Sequence, residues 1–358
     1  MAGDAAQRAE RIRREGAKLI LLIALTLIAF FATRAAAEHS RAVATQDAAE
    51  WYARGRRAFA AHELPVAIDA FRRAQLKNRG NLDYSLALAQ ALATDHQDAA
   101  AERILLALRE SAPERPDINL QLARLAAARD DRPTAVRYYR NALYATWADP
   151  DGPRKVRLEL IDFLLAHDDR QRAIAELIAA RTTTPDTADA HLELATLFVR
   201  AGDPATALQE FRRTLDLDAG NEAALSGAGE AAFALGDYAG ARRFLRGAGT
   251  LSAPAREKLA IATLVLGRDP LEPRLGAAER RRRLVDDFTD VQQRLDACSA
   301  SSSLESLPKL PARLDQDAIE DALAAIWRIE TAVTRECGPA TALDHALLVI
   351  AQRHGADR

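Results

Sequence analysis

A pattern of small and bulky apolar residues recurs every 34 residues through the middle of the chain, and it restricts the fold more than any other feature. The clearest copy places Gly55, Ala67 and Phe71 at fixed distances from one another. Steps of 34 reach residues of the same classes, namely Ala89, Ala101 and Leu105, and then Ala123, Ala135 and Tyr139. Self-similarity at such a period is typical of repeat proteins, in which each unit buries its apolar face only against its neighbours.

The period is interrupted once, by a shift of four residues at the turn-rich sequence DPDGP of residues 149–153. It resumes with Leu160, Ala173 and Leu177, and Gly-Asp pairs at 202–203 and 236–237 mark the turns inside the last two units. We therefore predict six units over residues 48–255, with the bounds 48–81, 82–115, 116–149, 154–187, 188–221 and 222–255.

These residues, together with Trp51 and Ala74, resemble the tetratricopeptide repeat, in which small residues let two antiparallel helices pack closely. The resemblance implies an all-α fold, with helix pairs stacked into a right-handed solenoid whose first helices line a groove. It also implies that the protein binds other proteins. The composition agrees with helices, because aromatic residues make up only 5% of the chain and good helix formers dominate.

In this family the fifth and ninth places of each unit face the groove. Here they hold Tyr52 and Arg56, Leu86 and Gln90, Leu120 and Arg124, Leu158 and Asp162, Leu192 and Thr196, and Ser226 and Glu230. The chaperone-binding members carry Lys and Asn at these places to grip a C-terminal carboxylate, whereas leucine fills most of the fifth places here. A leucine stripe edged by arginines predicts an amphipathic helix or an extended apolar segment as the ligand. Alternatively, these leucines pack as core against a neighbouring helix or the chain's own tail.

Residues 19–33 contain no charge, and Ala35 to Ala37 extend the apolar stretch to a length of roughly 28 Å as a helix, close to the hydrocarbon thickness of a membrane. Five basic residues precede it and only Arg34 and Arg41 lie in or just after it. The positive-inside rule then predicts a cytosolic basic tail (1–18), a transmembrane helix (19–37), a linker (38–47) and exported repeats. In a bacterium the repeats would lie in the periplasm, anchored to the inner membrane. A cleavable signal peptide is the alternative, because the three alanines fit a cleavage site.

Residues 256–358 carry no recognisable family motif, and their apolar stripes predict a helical cap on the repeats. The chain has two cysteines, Cys298 and Cys337, each at the end of a predicted helix. Export makes a disulfide plausible, provided that the two helices run side by side in parallel; two buried free thiols are the alternative. The arginine run 280–283 lies one helical turn from the acidic residues of 286–290, which predicts a self-neutralised, solvated face; a site for a phosphate or lipid headgroup is the alternative.

Several classes of function lack support. The net charge of -2 gives no basic field for nucleic acid. No cysteine or histidine spacing indicates a metal or cofactor, and no nucleophile and base pair indicates an enzyme or a small-molecule substrate. We therefore expect a scaffold or assembly subunit of an inner-membrane complex, which binds partner proteins in its groove. The alternative is a periplasmic chaperone that works beside the translocon on exported chains.

Overall fold

The computed structural model describes residues 2–298, 305–311, 314–338 and 341–355, and the described side chains begin at Leu25 and leave out Ile28. Within these residues every regular element is an α-helix, so the prediction of an all-α fold is confirmed. The helices in chain order are α1 (Ala2–Ala60), α2 (Leu64–Lys77), α3 (Leu82–Thr94), α4 (Asp98–Ser111), α5 (Pro116–Ala128), α6 (Arg132–Leu143), α7 (Gly152–Ala166), α8 (Arg170–Arg181), α9 (Ala188–Ala201), α10 (Pro204–Leu217), α11 (Glu222–Ala234), α12 (Tyr238–Gly247), α13 (Ala253–Arg268), α14 (Ala277–Ala297), α15 (Gln316–Cys337) and α16 (Ala342–Arg353).

The chain divides into two compact units, Met1–Leu160 and Ile161–Arg358, and the division falls inside α7. In the first unit α1 packs on α2, α3 on α4 and α5 on α6, and each pair also contacts the next. In the second unit α9 packs on α10 and α11 on α12, while α13 packs on α12. First helices of successive pairs touch as well, α3 with α5 in the first unit and α9 with α11 in the second.

The turn between the two helices of each pair contains one residue in the left-handed backbone region. These residues are His62, His96, Asp130, Asp168, Gly202 and Gly236, so neighbours lie 34 residues apart except for Asp130 and Asp168, which are 38 apart. The next residue in four of the six turns is an aspartate whose carboxylate accepts a hydrogen bond from the first turn of the second helix. A fixed turn geometry therefore recurs with the period of the sequence.

Small residues let the two helices of a pair approach closely. The alanines at the twentieth place are fully buried, and they are Ala67, Ala101, Ala135, Ala173, Ala207 and Ala241. At Gly55 an added Cβ would lie 2.6 Å from the ring of Phe71, which no real contact allows. The first helix can therefore cross its partner at this depth only with glycine at that position.

The four-residue shift in the period has a structural cause between α6 and α7. The side chain of Trp147 folds back over this connection, and its Nε1 donates a hydrogen bond to the carbonyl of Ala142 at 2.8 Å. The ring also covers Gly152, where a Cβ would lie 2.4 Å from it. The extra residues thus form a loop packed around one tryptophan, and α7 begins at its end.

Helix α1 continues without a break from Ala2 into the first repeat, so residues 38–47, predicted as a linker, are helical. Its packing on the repeats begins with the ion pair of Asp47 and Lys77, at 3.0 Å, and with Ala48, which is fully buried. The predicted membrane span 19–37 lies partly outside the described side chains. Across the part of the chain that is described, no helix is long and apolar enough to cross a membrane.

The C-terminal cap consists of α14, α15 and α16, which share one apolar core with α13. Its buried side chains are mostly large, in contrast with the alanines of the repeats, and they include Leu284, Val291, Leu323, Ile326 and Ile350. Phe233 and Tyr238 of the sixth repeat pack against the same core. The cap therefore continues the packing of the last repeat through α13.

The predicted neutralisation of the arginine run 280–283 by the acidic residues after it does not hold for Asp287 and Asp290, which pair with Arg268. Arg282 and Arg283 instead pair with Glu279, at 2.7 and 3.1 Å. Asp287 is fully buried, and its carboxylate lies against the guanidinium of Arg268 on α13. Asp287 and Asp290 therefore serve Arg268 of the neighbouring helix and not the arginine run, whereas Asp286 is exposed.

Candidate protein-binding groove

The leucines at the fifth place of the repeats lie on the first helix of each pair and are half-buried. They are Leu86 on α3, Leu120 on α5 and Leu158 on α7 in the first unit, and Leu192 on α9 in the second unit. A fully buried leucine would have no free surface for a ligand, and a fully exposed one would have no fixed position. The partial burial holds these side chains in place and leaves apolar surface accessible.

Tyr52, the fifth-place residue of the first repeat, takes part in an aromatic cluster. Its ring lies 4.9 Å from that of Tyr84 and 5.7 Å from that of Phe71, measured between centroids. Tilted aromatic pairs at these distances add to the stability that burial alone gives. Tyr52 therefore fixes the first repeat against the second and presents only part of its ring. Arg56, at the ninth place of the same helix, is exposed.

The ninth-place charges of later repeats bridge to the next first helix. In the first unit, Nε and Nη2 of Arg124 donate to the two carboxylate oxygens of Glu159, both at 2.8 Å. The hydroxyl of Tyr139 donates to the same carboxylate at 2.9 Å, and burial raises the pKa of this hydroxyl. Arg124 therefore offers the predicted groove a neutralised pair rather than an uncompensated positive charge.

The second unit contains two similar bridges. Asp162 on α7 pairs with Arg200 on α9 at 2.7 Å, and Glu230 on α11 pairs with Lys258 on α13. The remaining predicted polar residues are half-buried Gln90 and exposed Thr196, whose hydroxyl donates to the carbonyl of Leu192. Sequence reasoning missed the partners of these bridges. The sequence pattern that could have predicted these bridges is a charged residue at the ninth place together with a residue of opposite charge on the first helix of the next repeat.

The two cysteines meet in the cap. Cys298, directly after α14, and Cys337, at the end of α15, are joined as a disulfide with their Cα atoms 5.5 Å apart. The carboxyl ends of the two helices therefore lie side by side, which is the condition under which the sequence analysis expected this disulfide. Residues 299–304 of the connection lie outside the described part of the chain.

The cap also holds buried ion pairs next to the disulfide. The guanidinium of Arg294 donates to Glu330 at 2.5 Å and lies 2.7 Å from Asp344, so one cation of α14 serves a carboxylate on each of α15 and α16. Burial raises the pKa of Glu330 to about 7. Burial likewise raises the pKa of Asp287 to about 7, against the lowering effect of Arg268. The apolar stripes of the sequence gave no sign of these charges in the core.

A metal site is not formed by the described residues, since no three His, Cys, Asp or Glu side chains among them gather closely enough to hold an ion. The chemistry available on the repeats is that of a binding surface, with fixed apolar side chains and neutralised polar rims.

Solved structures of repeat proteins resemble this chain only distantly. A tetratricopeptide repeat protein from Parabacteroides merdae has 13% identity and a TM-score of 0.41, over 78% of this chain and 98% of that one. YrrB, described as a TPR protein with an unusual peptide-binding site, has 18% identity and a TM-score of 0.40, over 51% and 92%. PilF of Pseudomonas aeruginosa has 20% identity and a TM-score of 0.34, over 57% and 97%. Likenesses at this level carry no information about function.

Family models give a direct match. Two models described as tetratricopeptide repeat match residues 158–222 and 198–250, which are the fourth to sixth predicted units. No curated protein sequence matches the chain. The recurring left-handed turns and buried alanines extend the same helix-pair geometry to the first three units. The chain therefore contains tetratricopeptide repeats, and these repeats are a scaffold for protein–protein interaction.

Proposed function

We propose that this protein is a membrane-anchored scaffold, an assembly or accessory subunit of an inner-membrane complex, that holds partner proteins on the groove surface that the first helices form within each unit. The observation that carries the proposal is the set of half-buried leucines at the fifth places, Leu86, Leu120, Leu158 and Leu192. The nearby charges of Arg124 and Asp162 are engaged in ion pairs, so the leucines are flanked by neutralised pairs and not by these charges unpaired. Such a surface suits an amphipathic helix or an extended apolar segment.

The anchor and the periplasmic location belong to the same proposal. The sequence support is the uncharged stretch 19–33 with basic residues before it. A disulfide between Cys298 and Cys337 fits an oxidising compartment, because such bonds rarely persist in the cytosol. The full chain fused at its C-terminus to alkaline phosphatase tests this location. We expect an active phosphatase that stays in the membrane fraction at alkaline pH; an inactive enzyme, or one released in soluble form, would contradict the anchor.

The binding test is affinity purification of the full chain from membranes in a mild detergent. A scaffold should bring down one fixed set of companions at constant stoichiometry. Many different exported proteins at low occupancy would instead indicate a chaperone beside the translocon, and a protein recovered alone would contradict the scaffold.

Substitutions can show that the groove itself holds the companions. We expect Leu86→Glu combined with Leu120→Glu to abolish their recovery, since both changes place a charge on the apolar surface. The matched control is Ile178→Glu combined with Leu217→Glu, at apolar residues that are 53% and 42% exposed on second helices. The control should recover the companions as the unaltered protein does. Equal recovery with the groove variant, once circular dichroism shows that it is folded, would contradict binding at this surface.

A further inference from the structure

A cavity of about 640 Å³ lies in the first unit, between the second helices α2 and α4 and above α3. Its floor is apolar and consists of the buried side chains of Leu88, Leu92 and Leu108. Beside the floor, Nε2 of Gln75 donates to the hydroxyl of Ser85 at 2.9 Å and so ties α2 to α3. Both residues line the cavity, so two of its walls have a fixed distance from each other.

Three arginines surround this cavity, Arg72 and Arg79 from α2 and the turn after it, and Arg103 from α4. No aspartate or glutamate is among the residues that line it. None of the three guanidinium groups forms an ion pair with any residue in the described part of the chain, and Arg103 donates only to the carbonyl of Ala99 in its own helix.

Other arginines close to the cavity or on the repeats do have carboxylate partners. The chain holds 51 acidic and 49 basic residues, so carboxylates are not scarce. Arg73, the neighbour of Arg72, pairs with Asp69 at 2.9 Å on the same helix. In the third repeat Arg124 is fully engaged by Glu159. Three like charges without counter-charges repel one another, and an anion placed between them would remove that repulsion.

The cavity does not belong to the predicted groove. Ser85, Leu88 and Leu92 project toward it from α3, whereas the groove positions Leu86 and Gln90 lie on roughly the opposite side of the same helix, because successive residues are about 100° apart. The groove is apolar with neutralised rims, whereas this cavity combines an apolar floor with free positive charge. The two surfaces therefore suit different ligands.

We propose that this cavity is a second protein-binding site, and that it holds an acidic segment of a partner protein with a leucine-like side chain between its carboxylates. Arginine binds carboxylates in a planar, bidentate geometry, which the exposed ends of Arg72, Arg79 and Arg103 are free to adopt. The leucines of the floor bury the apolar side chain. A ligand with charge alone would leave this floor uncovered, and an apolar ligand would leave the arginines unpaired.

Fluorescence anisotropy with the full chain in a non-ionic detergent tests the proposal, using a labelled peptide of sequence DELLEDE. We expect saturable binding that weakens as salt rises. Its neutral counterpart NQLLQNQ and its counterpart without leucines, DESSEDE, should each bind at least about tenfold more weakly. Equal binding of NQLLQNQ would overturn the role of the arginines, and equal binding of DESSEDE would overturn the role of the floor.

Variants locate the site. Arg72→Gln combined with Arg103→Gln should weaken binding of DELLEDE about tenfold or more. The matched control is Arg57→Gln combined with Arg246→Gln, at two exposed arginines outside the cavity, which should leave the affinity unchanged. Equal losses in both would show non-specific attraction and overturn the site. Displacement of the peptide by inorganic phosphate or by anionic lipid, each at the peptide's own concentration, would overturn the proposed ligand. These variants leave Leu86 and Leu120 unchanged. If the peptide does not bind to the cavity, the test of partner binding in the groove is therefore unaffected.

Discussion

The repeats and the C-terminal cap achieve the same helix-on-helix packing by different means. In the repeats, alanines such as Ala101 and Ala207 are fully buried, the helices approach closely, and most charged residues pair on the surface, although Glu210 is buried in a pair with Arg181. In the cap, large side chains such as Ile326 fill the core, a disulfide joins two helix ends, and charges such as Glu330 are buried. The repeats depend on many local contacts between neighbours. The cap depends on a few strong ties between helices that are distant in sequence, so single changes should affect it more.

Loss of the disulfide should have the largest effect on stability. Its removal tests whether the folding of the cap depends on this covalent link. Cys298 and Cys337 are 39 residues apart in sequence, and a loop of that length corresponds to about 4 kcal/mol of stabilisation from restricting the unfolded chain. We expect reduction to speed amide hydrogen exchange in 277–353 and to leave 48–255 protected. The variant Cys298→Ser with Cys337→Ser should no longer respond to reductant. Two free thiols in non-reducing mass spectrometry would contradict the bond.

Arg294→Met should have the next largest effect. The substitution keeps the length of the side chain but leaves Glu330 and Asp344 without their shared cation, at a cost of about 3 kcal/mol near neutral pH. Denaturant unfolding measures this loss, which should shrink in mild acid, because the protonated carboxyl of Glu330 no longer needs the cation. Arg328→Met, at an exposed arginine paired with Glu305, is the control and should change little. An equal loss in both variants would show that burial does not distinguish the cap.

Asp287 should make the stability of the cap fall as pH rises. Burial raises its pKa to about 7 in the folded state, whereas its pKa in the unfolded chain is about 3.9, so the folded state retains a proton that the unfolded chain releases. Its stabilising contribution is full below pH ~4 and is lost as the pH passes ~7. We expect Asp287→Asn to reduce this decline by on the order of 2 kcal/mol.

Melting temperatures of this variant between pH 4 and pH 8 measure the slope. The control is Asp296→Asn, at an exposed aspartate of the same helix, and it should keep the slope of the unaltered protein. A slope that is unchanged by Asp287→Asn would show that this carboxyl is ionised throughout, held by Arg268.

The smallest effect is expected in the repeats, at the bridge between Arg124 and Glu159. Both side chains are partly exposed, and such pairs contribute about 0.5 kcal/mol. A double-mutant cycle with Arg124→Gln and Glu159→Gln measures the coupling free energy. A coupling as large as the loss at Arg294 would remove the distinction between the repeats and the cap.

The repeats could be predicted from the sequence because the interactions that form them are local. The 34-residue period, the buried alanines and the aspartates at the turns all act within one helix pair, and the shift near Gly152 is visible as an insertion. The ties of the cap were harder to predict. The role of Asp287 depends on Arg268, which lies on another helix, and the inward face of α14 follows from three-dimensional packing alone. The cavity beside Arg103 was missed for the same reason, since three helices create it and no single one carries a motif.

The most direct test of the central claim, that partners bind along the first helices, is site-specific photo-crosslinking in living cells. A photoreactive benzoyl-phenylalanine would replace Leu120 in one variant of the full chain and Leu217, on the second helix α10, in another. We predict that position 120 gives one or a few discrete crosslinked products, the same proteins that copurify with the unaltered chain, and that position 217 gives none of them. Identical products from both positions, or none from position 120, would contradict the account.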